Sequence, residues 1–229
     1  MSAMSNNPAP AKPSASVVVV RQGTESLEVL LLRRNEQIAF HGGAWVFPGG
    51  RVDPDDGDVA AEPEIEIAKR AGVRETLEET GLAVTAESML PFAHWTTPVD
   101  LPKRFATWFF IATIERASDV RIDNSEIVDF RWLTPAAALQ QQSAGEINLP
   151  APTFVTLLTL QSLPTTAELQ ARFAAREIQR FVPKLVSYAG GRCTLYQDDS
   201  GYATGDLETS GPRHRLIMKD GGWEYIREI

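Results

Sequence analysis

The sequence predicts an α/β (α+β) chain, with strands before and after one long helix, on three observations. Ser16-Val17-Val18-Val19-Val20 and Leu27-Glu28-Val29-Leu30-Leu31-Leu32 are β-branched and aliphatic runs joined by the turn-forming Gln22-Gly23-Thr24-Glu25-Ser26, the pattern of a hairpin. Pro63 suits the first turn of a helix and Gly81 is the usual glycine stop, so 63–81 reads as one helix. Met89 to Trp95 and Phe105 to Ile114 read as two further strands, the second rich in aromatics at Phe105, Trp108, Phe109 and Phe110.

Composition bounds what such a chain can be. Its 229 residues, 43% hydrophobic, suffice for one sizeable core with an added subdomain. A net charge of −8 and a sequence pI of about 5.0 disfavour non-specific binding to nucleic acid or to an anionic membrane, so neither is expected as a partner. A polyanionic substrate would need local cationic help. The single cysteine, Cys193, forbids an intrachain disulfide and points to a reducing compartment; with no activating partner it reads as a core residue. The longest apolar runs are far too short to span a bilayer, and no secretory pattern precedes them.

In chain order, Met1 to Ser14, with Asn6-Asn7, prolines and no apolar period, is expected to be a flexible arm, with structure beginning at Ala15. Arg33-Arg34 closes the second strand, either as a solvated strand end or as a phosphate-binding pair beside an anionic site. Glu36 to Gly43 is a polar loop, and its lone His41 reads as a surface residue. Gly42 to Gly50 then runs as an apolar strand, Ala44-Trp45-Val46-Phe47, into a Pro48-Gly49-Gly50 turn that only glycine makes cheaply. The acidic segment Val52 to Asp58 has the Asp/Gly/Pro content of a loop but lacks the terminal glutamate of a calcium-binding EF-hand; a flexible or substrate-flanking insertion is expected.

The densest chemistry lies on the helix, in Arg74-Glu75-Thr76-Leu77-Glu78-Glu79-Thr80-Gly81-Leu82. Glu75, Glu78 and Glu79 stand at i, i+3 and i+4, so their carboxylates project from one side. Like charges at that spacing repel by about a few tenths of a kcal/mol per pair, and a divalent cation would convert the liability into a site. Hard oxygen ligands favour magnesium, manganese or calcium over zinc. Spacing alone leaves an exposed acidic helix face equally open. Ala68, Ala71 and Gly72 lie on the same side as the glutamates and would permit a close approach by whatever faces them.

Together with the Phe47-Pro48-Gly49-Gly50 lead-in, these residues resemble the Nudix hydrolases. In that family's box a glycine is followed six residues later by a glutamate, and eight residues further by Arg-Glu-x-x-Glu-Glu-x-Gly; Gly50, Glu66, Arg74, Glu75, Glu78, Glu79 and Gly81 occupy the matching places. There are two departures. Gly50 to Glu66 is ten residues longer than the box allows, the excess falling in the acidic loop where added length costs little closure entropy, and Thr76 stands where a bulky aliphatic residue is usual.

The resemblance implies a mixed β-sheet sandwiched between helices and attack of water on a diphosphate linked to another moiety. It implies Mg2+ or Mn2+ held by Glu78 and Glu79, with Glu75 as ligand or base and the Gly49 carbonyl as a further contact. Gly50, Glu66, Arg74 and Gly81 take structural roles, Arg74 tying the helix to a carboxylate such as Glu66 or Glu75. Because a loop ahead of the later strand 128–133 often supplies an additional acid or base in the family, Glu126 is the reserve catalytic residue. Arg33 and the loop pair Lys103-Arg104 are the candidate substrate-binding cations, the latter for a phosphate away from the metal, against a solvated turn.

Thr134-Pro135 starts a short helix through Gln140, and Pro150 to Leu163 and Thr165 to Phe181 read as two more. From Lys184 the chain has glycine-punctuated short strands, among them Leu195-Tyr196 and Arg215 to Met218. The expected organisation is therefore an arm at 1–14, a Nudix hydrolase domain at 15–145, and a helical and short-strand extension at 146–229. That extension is expected to pack on the domain or form an oligomer contact such as a homodimer.

Three functions remain open on the sequence. A metal-dependent diphosphohydrolase is favoured by the intact glutamates; a catalytically silent binding module would predict the loss of one; an isomerase of the prenyl diphosphate type would predict a cysteine near the site, whereas Cys193 lies in the tail. The 40–50 run, the long insert and Leu101-Pro102-Lys103-Arg104-Phe105 together look like the branch containing peroxisomal acyl-coenzyme A diphosphatases, which implies coenzyme A or acyl-coenzyme A as substrate. ADP-ribose or a dinucleotide is the alternative. Ala106 departs from that branch, which tends to be acidic there, and the chain ends Arg227-Glu228-Ile229 rather than Ser-Lys-Leu, so a cytoplasmic location is expected.

Overall fold

The computed structural model describes residues 9–115, 119–174, 176–219 and 222–228. Its contacts divide the chain into two compact units.

The larger unit, 13–94 and 107–180, is built on an eight-stranded sheet. Strand β1 (Lys12–Gln22) pairs antiparallel with β2 (Leu27–Arg34) in the expected hairpin, Val20 opposite Val29. Val17 to Val20 are fully buried without alternation, as are Val29 to Leu32, which is why both strands read as unbroken apolar runs. β1 begins at Lys12, ahead of the expected Ala15, because Ser14 is already placed by a 2.6 Å hydrogen bond between its hydroxyl and that of Thr107. Most of the expected arm, 1–8, lies outside the described residues.

Two short strands follow, β3 (Trp45–Val46) beside β2 and β4 (Gly49–Arg51) beside β1, then a 3-10 turn at Pro54–Asp56. Helix α1 (Glu64–Thr80) ends as expected: Gly81 adopts a left-handed φ of 68° and its N–H donates to the Leu77 carbonyl at 2.8 Å. β5 (Leu90–Thr96), β6 (Phe105–Thr113) and β7 (Ile127–Leu133) complete the central sheet, in which β7 runs antiparallel to β2. β1 and β6 are neighbours that ascend together, Ser14 meeting Thr107 and Val20 accepting from the Ile114 N–H at 2.9 Å, so the sheet is mixed.

Helices cover this sheet. Ala68 and Ala71 of α1 share a core cluster with Val17, Val19, Leu30 and Leu32, and a Cβ on Gly72 would come within 2.9 Å of Val17 Cγ2. The small residues of the helix therefore face the sheet, allowing the approach their size predicts. α2 (Pro135–Ser143), capped by the Thr134 hydroxyl, packs against β2, β7 and α3 (Ala151–Leu160). α4 (Thr166–Phe173) is capped by the Thr165 hydroxyl and is shorter than the expected 165–181. Gln179–Phe181 instead forms β8 next to β5. The Phe181 ring stacks on Trp95 at 3.8 Å, a long-range contact that overrides local helix propensity.

The smaller unit, the described part of 1–12 with 95–106 and 181–229, holds an added antiparallel sheet of β9 (Lys184–Tyr188), β10 (Gly191–Leu195), β11 (His214–Lys219) and β12 (Gly222–Arg227), in the order β12-β11-β10-β9. Its interior is anchored by Asp199 and Arg215, buried and joined by two hydrogen bonds of 2.7 and 2.8 Å. Cys193 is buried in β10, as expected of a core thiol. Among the described residues no helix is long and apolar enough to cross a membrane.

Candidate active site

The site forms where β4 passes over the C-terminal half of α1. Gly49 and Gly50 pair with Ser16 and Ala15 of β1, leaving no room for side chains. A Cβ on Gly49, whose φ is 152°, would meet the Ala15 carbonyl oxygen at 2.3 Å. A Cβ on Gly50 would sit 2.3 Å from Glu75 Oε1. The two glycines thus let the backbone close on the helix carboxylates, and the Gly49 N–H donates to Glu79 Oε2 at 2.9 Å.

Glu79 is 7% exposed. Burial pushes its carboxyl up to about 8; Glu75 and Glu126 add repulsion, against the Gly49 hydrogen bond and the Arg34 charge. Glu75 is partly buried, and burial likewise raises its carboxyl despite the neighbouring Arg74. Glu78 is the exposed member of the three, its side chain 58% accessible.

Two arginines organise these carboxylates. Arg74 donates to Glu75 Oε1 at 3.0 Å, to Glu78 Oε2 at 3.1 Å and to the Arg51 carbonyl at 3.0 Å. Its remaining donors go to Asp56, from Nε to Oδ1 at 3.1 Å and from Nη2 to Oδ2 at 2.9 Å. Arg34, at the end of β2, places Nη1 3.9 Å from Glu79 Oε1 and Nη2 3.7 Å from Glu126 Oε2. Glu126 is carried on a loop tied down by Asp123, which accepts from the N–H groups of Ser125, Glu126 and Ile127 at 3.2, 2.9 and 3.0 Å. Burial alone would raise the Asp123 carboxyl, but these bonds and the Ser125 hydroxyl hold it at about 2.

The structure thus brings Gly49, Gly50, Arg74, Glu75, Glu78, Glu79 and Glu126 into one neighbourhood. Glu66 stands apart, pairing with Lys69 at 3.2 Å at the surface, so of the two suggested partners Arg74 takes Glu75 and not Glu66. Arg33 turns to Glu36 at 2.7 Å, and it is Arg34 that approaches the carboxylates. Lys103 and Arg104 belong to the smaller unit, where Arg104 donates to the carbonyls of Thr97 at 3.2 Å and Ala9 at 2.6 Å. Sequence reasoning did not single out Asp56. Nor did it separate Arg34 from Arg33, although Leu30 and Leu32, at the same parity as Arg34, share the core cluster with α1.

The donors suit a hard divalent ion: carboxylate oxygens only, one of them buried beside a second, in a cradle that a Cβ on Gly50 would fill. Among the described residues no three His, Cys, Asp or Glu side chains already converge on one point. Arg74 and Arg34 lie against the carboxylates instead, so an ion would enter by competing with guanidinium charge for Glu75, Glu78 and Glu79.

The model of the NUDIX domain matches residues 10–154. The chain belongs to the Nudix hydrolase family. It is similar to a Caenorhabditis elegans protein named as nudix hydrolase 7, with 24% identity covering 66% of this chain and 61% of that protein. It is also similar to the acyl-coenzyme A diphosphatase NUDT19 of Xenopus laevis, with 22% identity covering 88% of this chain and 83% of that one. The chain thus spans less than two thirds of the length of the C. elegans relative. The crystal structure of a NUDIX hydrolase from Alicyclobacillus acidocaldarius superposes with a TM-score of 0.64 at 22% identity, covering 71% of this chain and 96% of that one, a likeness of fold.

Proposed function

We propose that this chain hydrolyses a diphosphate linkage, and that coenzyme A or an acyl-coenzyme A carries it. The observation that supports the reaction best is the closure of Gly49-Gly50 over two buried or partly buried helix carboxylates, Glu75 and Glu79. A silent binding module has no need of three intact glutamates, and Cys193, in β10 of the smaller unit, gives no support to an isomerase.

Glu75, Glu78 and Glu79 would hold Mg2+ or Mn2+, with the Gly49 carbonyl as a further contact. Held there, such an ion would supply charge neutralisation at the diphosphate and a more acidic water. Arg34 is placed to meet a phosphate oxygen as it balances Glu79 and Glu126. Glu126, exposed at the rim, is the group that could accept a proton from the water, with Glu75 as the alternative base. Water adds to one phosphorus, the bridging P–O bond breaks, and each side leaves as a phosphate.

The coenzyme A reading rests on the likeness to the Xenopus acyl-coenzyme A diphosphatase and on the sequence pattern of the insert and the 101–105 loop. Lys103 and Arg104 are proposed, from sequence, to read an extra 3′-phosphate. Coenzyme A, its dephospho form, ADP-ribose and a dinucleotide, assayed with Mg2+ or Mn2+ and resolved by product mass, test the proposal. Adenosine 3′,5′-bisphosphate with the corresponding phosphopantetheine is expected. Brisk cleavage of ADP-ribose or a dinucleotide beside inert coenzyme A would overturn the substrate, and no cleavage of any would overturn the reaction.

A further inference from the structure

Glu126 is read above as the proton acceptor, yet its carboxylate is steered rather than gripped. The side chain is 66% accessible and meets Arg34 Nη2 at 3.7 Å. A long, exposed glutamate keeps most of its rotamer freedom, so where its carboxylate dwells is decided by the backbone that carries it.

Both N–H groups and both carbonyls of Ser125 and Glu126 are taken. Asp123 accepts from the two N–H groups, which makes the turn rigid within itself. The two carbonyls go to Asn35: its Nδ2 donates to the Ser125 oxygen at 2.9 Å and its backbone N–H to the Glu126 oxygen at 2.8 Å. The orientation of the amide follows from its other end, since Asn35 Oδ1 accepts from the Gln37 N–H at 3.0 Å and only Nδ2 is left to face a carbonyl. Asn35 directly follows Arg34. One strand end therefore supplies the arginine that faces Glu79 and Glu126 and also the tie that holds Glu126 opposite it.

The strand register delivers the turn to that place. Arg33 pairs with Asp129 but Arg34 with Ile127, so Val128 is an extra residue in β7, a bulge. The extra residue returns Ile127 to the face of Phe130 and Trp132, where it is fully buried in the cluster beneath α1, and Glu126 is next in line. Beyond the pair Arg34 and Ile127, the bonds from Asn35 carry the hold on to Glu126 and Ser125.

From this arrangement we infer that Asn35 is a positioning residue for the hydrolysis. It ties the Glu126 turn to the strand end bearing Arg34 and so keeps the Glu126 carboxylate at the rim of the site, where the attacking water gives up its proton. The inference rests on the reading of Glu126 as the base.

The test is kcat and KM of the full chain on coenzyme A at saturating Mg2+, with ADP-ribose in its place should coenzyme A prove inert. The variants are Asn35→Asp, Asn35→Ser, Glu126→Gln and the double variant Asn35→Ser/Glu126→Gln. Both Asn35 variants keep an oxygen for the Gln37 N–H and lose the donor to Ser125, and serine does so without adding charge. In each, kcat should fall about fivefold to twentyfold with KM within about twofold, a part of the roughly hundredfold that a general base contributes. Glu126→Gln should lose about that hundredfold, and the double variant no more than Glu126→Gln alone, because Asn35 acts through Glu126. A residue that only shapes the 35–43 loop would be rescued by the retained oxygen, so wild-type kcat in both Asn35 variants overturns the inference. Additive losses in the double variant overturn it too, as does a loss confined to KM. Thermal melts check the fold, and should one Asn35 variant not fold, the other carries the test. Glu126→Gln separates the two levels. If its kcat is near that of the wild type, the reading of the base is wrong and the inference falls with it; if it is slow while both Asn35 variants are not, only the role of Asn35 falls. A wild type that cleaves neither compound overturns the reaction and the inference together.

Discussion

Arg34 Nη1 stands 3.9 Å from Glu79 Oε1 at the foot of the helix, while its Nε is buried without a hydrogen-bond partner among the described residues. A buried donor with no acceptor is costly to maintain, and the part of the guanidinium that stays accessible is placed to meet a phosphate oxygen. Arg34→Ala should therefore lower kcat/KM on the diphosphate substrate by roughly ten- to a hundredfold, the worth of a charge-assisted contact. Arg33→Ala, which removes only a surface pair with Glu36, should change it less than about twofold. Steady-state kinetics of the two variants decide the matter, and equal losses would contradict the assignment.

The paired glycines give a second contrast. A methyl on Gly50 meets the end of a flexible side chain, the Glu75 carboxylate, which can swing aside. A methyl on Gly49 meets the Ala15 backbone at a φ of 152° and cannot be relieved that way. Gly50→Ala is expected to keep the melting temperature within a few degrees while cutting activity at least about tenfold; Gly49→Ala should lower the melting temperature first. Thermal melts beside activity at matched metal concentration test this.

How far the sequence carried these assignments depended on range. The hairpin, the limits of α1 and its glutamate face were legible because each is set by neighbours in the chain: valine runs, Pro63, Gly81 and a 3.6-residue period. The partners of Arg74 and the identity of the site arginine were not, since they depend on which loop returns over the helix. A segment rich in Asp, Gly and Pro signals a loop whether or not one aspartate is buried, and the one sign Asp56 gave, its place six residues after Gly50, was masked by measuring the box back from Arg74 to Glu66. Arg34 gave a sign too, for it continues the Leu30, Leu32 parity toward α1. Phe181 was misplaced because its stacking partner, Trp95, is far away in sequence.

Asp199 makes stability depend on acid pH. Burial alone would raise its carboxyl, but hydrogen bonds from Arg215, from the Gly201 and His214 N–H groups and the Arg215 charge hold it at about 2, below the ordinary 3.8. The lowered value means that this stabilisation is complete above about pH 3.8 and lost as pH falls toward 2. Asp199→Asn, leaving Arg215 buried without its counter-charge, should cost roughly 3–5 kcal/mol at neutral pH. Denaturant melts should show that gap narrowing between about pH 4 and 2, the folded-state value being about 2. A constant gap would contradict it.

His214 acts in a milder range. Burial, then the charge of Arg227, lowers its imidazole to about 4 from 6.5, so the unfolded chain binds a proton that the folded chain refuses. Stability from this group is full above pH 6.5 and declines as pH falls toward 4. Replacing it by glutamine, His214→Gln, should flatten the fall in stability between those two pH values. An unchanged slope would show that the imidazole does not set it.

The central claim is that the buried helix carboxylate serves an ion used in cleaving a diphosphate. Product-resolved turnover of coenzyme A at saturating Mg2+ or Mn2+, compared between the wild type and Glu79→Gln, tests it most directly. The expected result is adenosine 3′,5′-bisphosphate and phosphopantetheine from the wild type, and turnover at least about a hundredfold lower in the variant with its fold intact. Near-normal turnover by Glu79→Gln would contradict the claim.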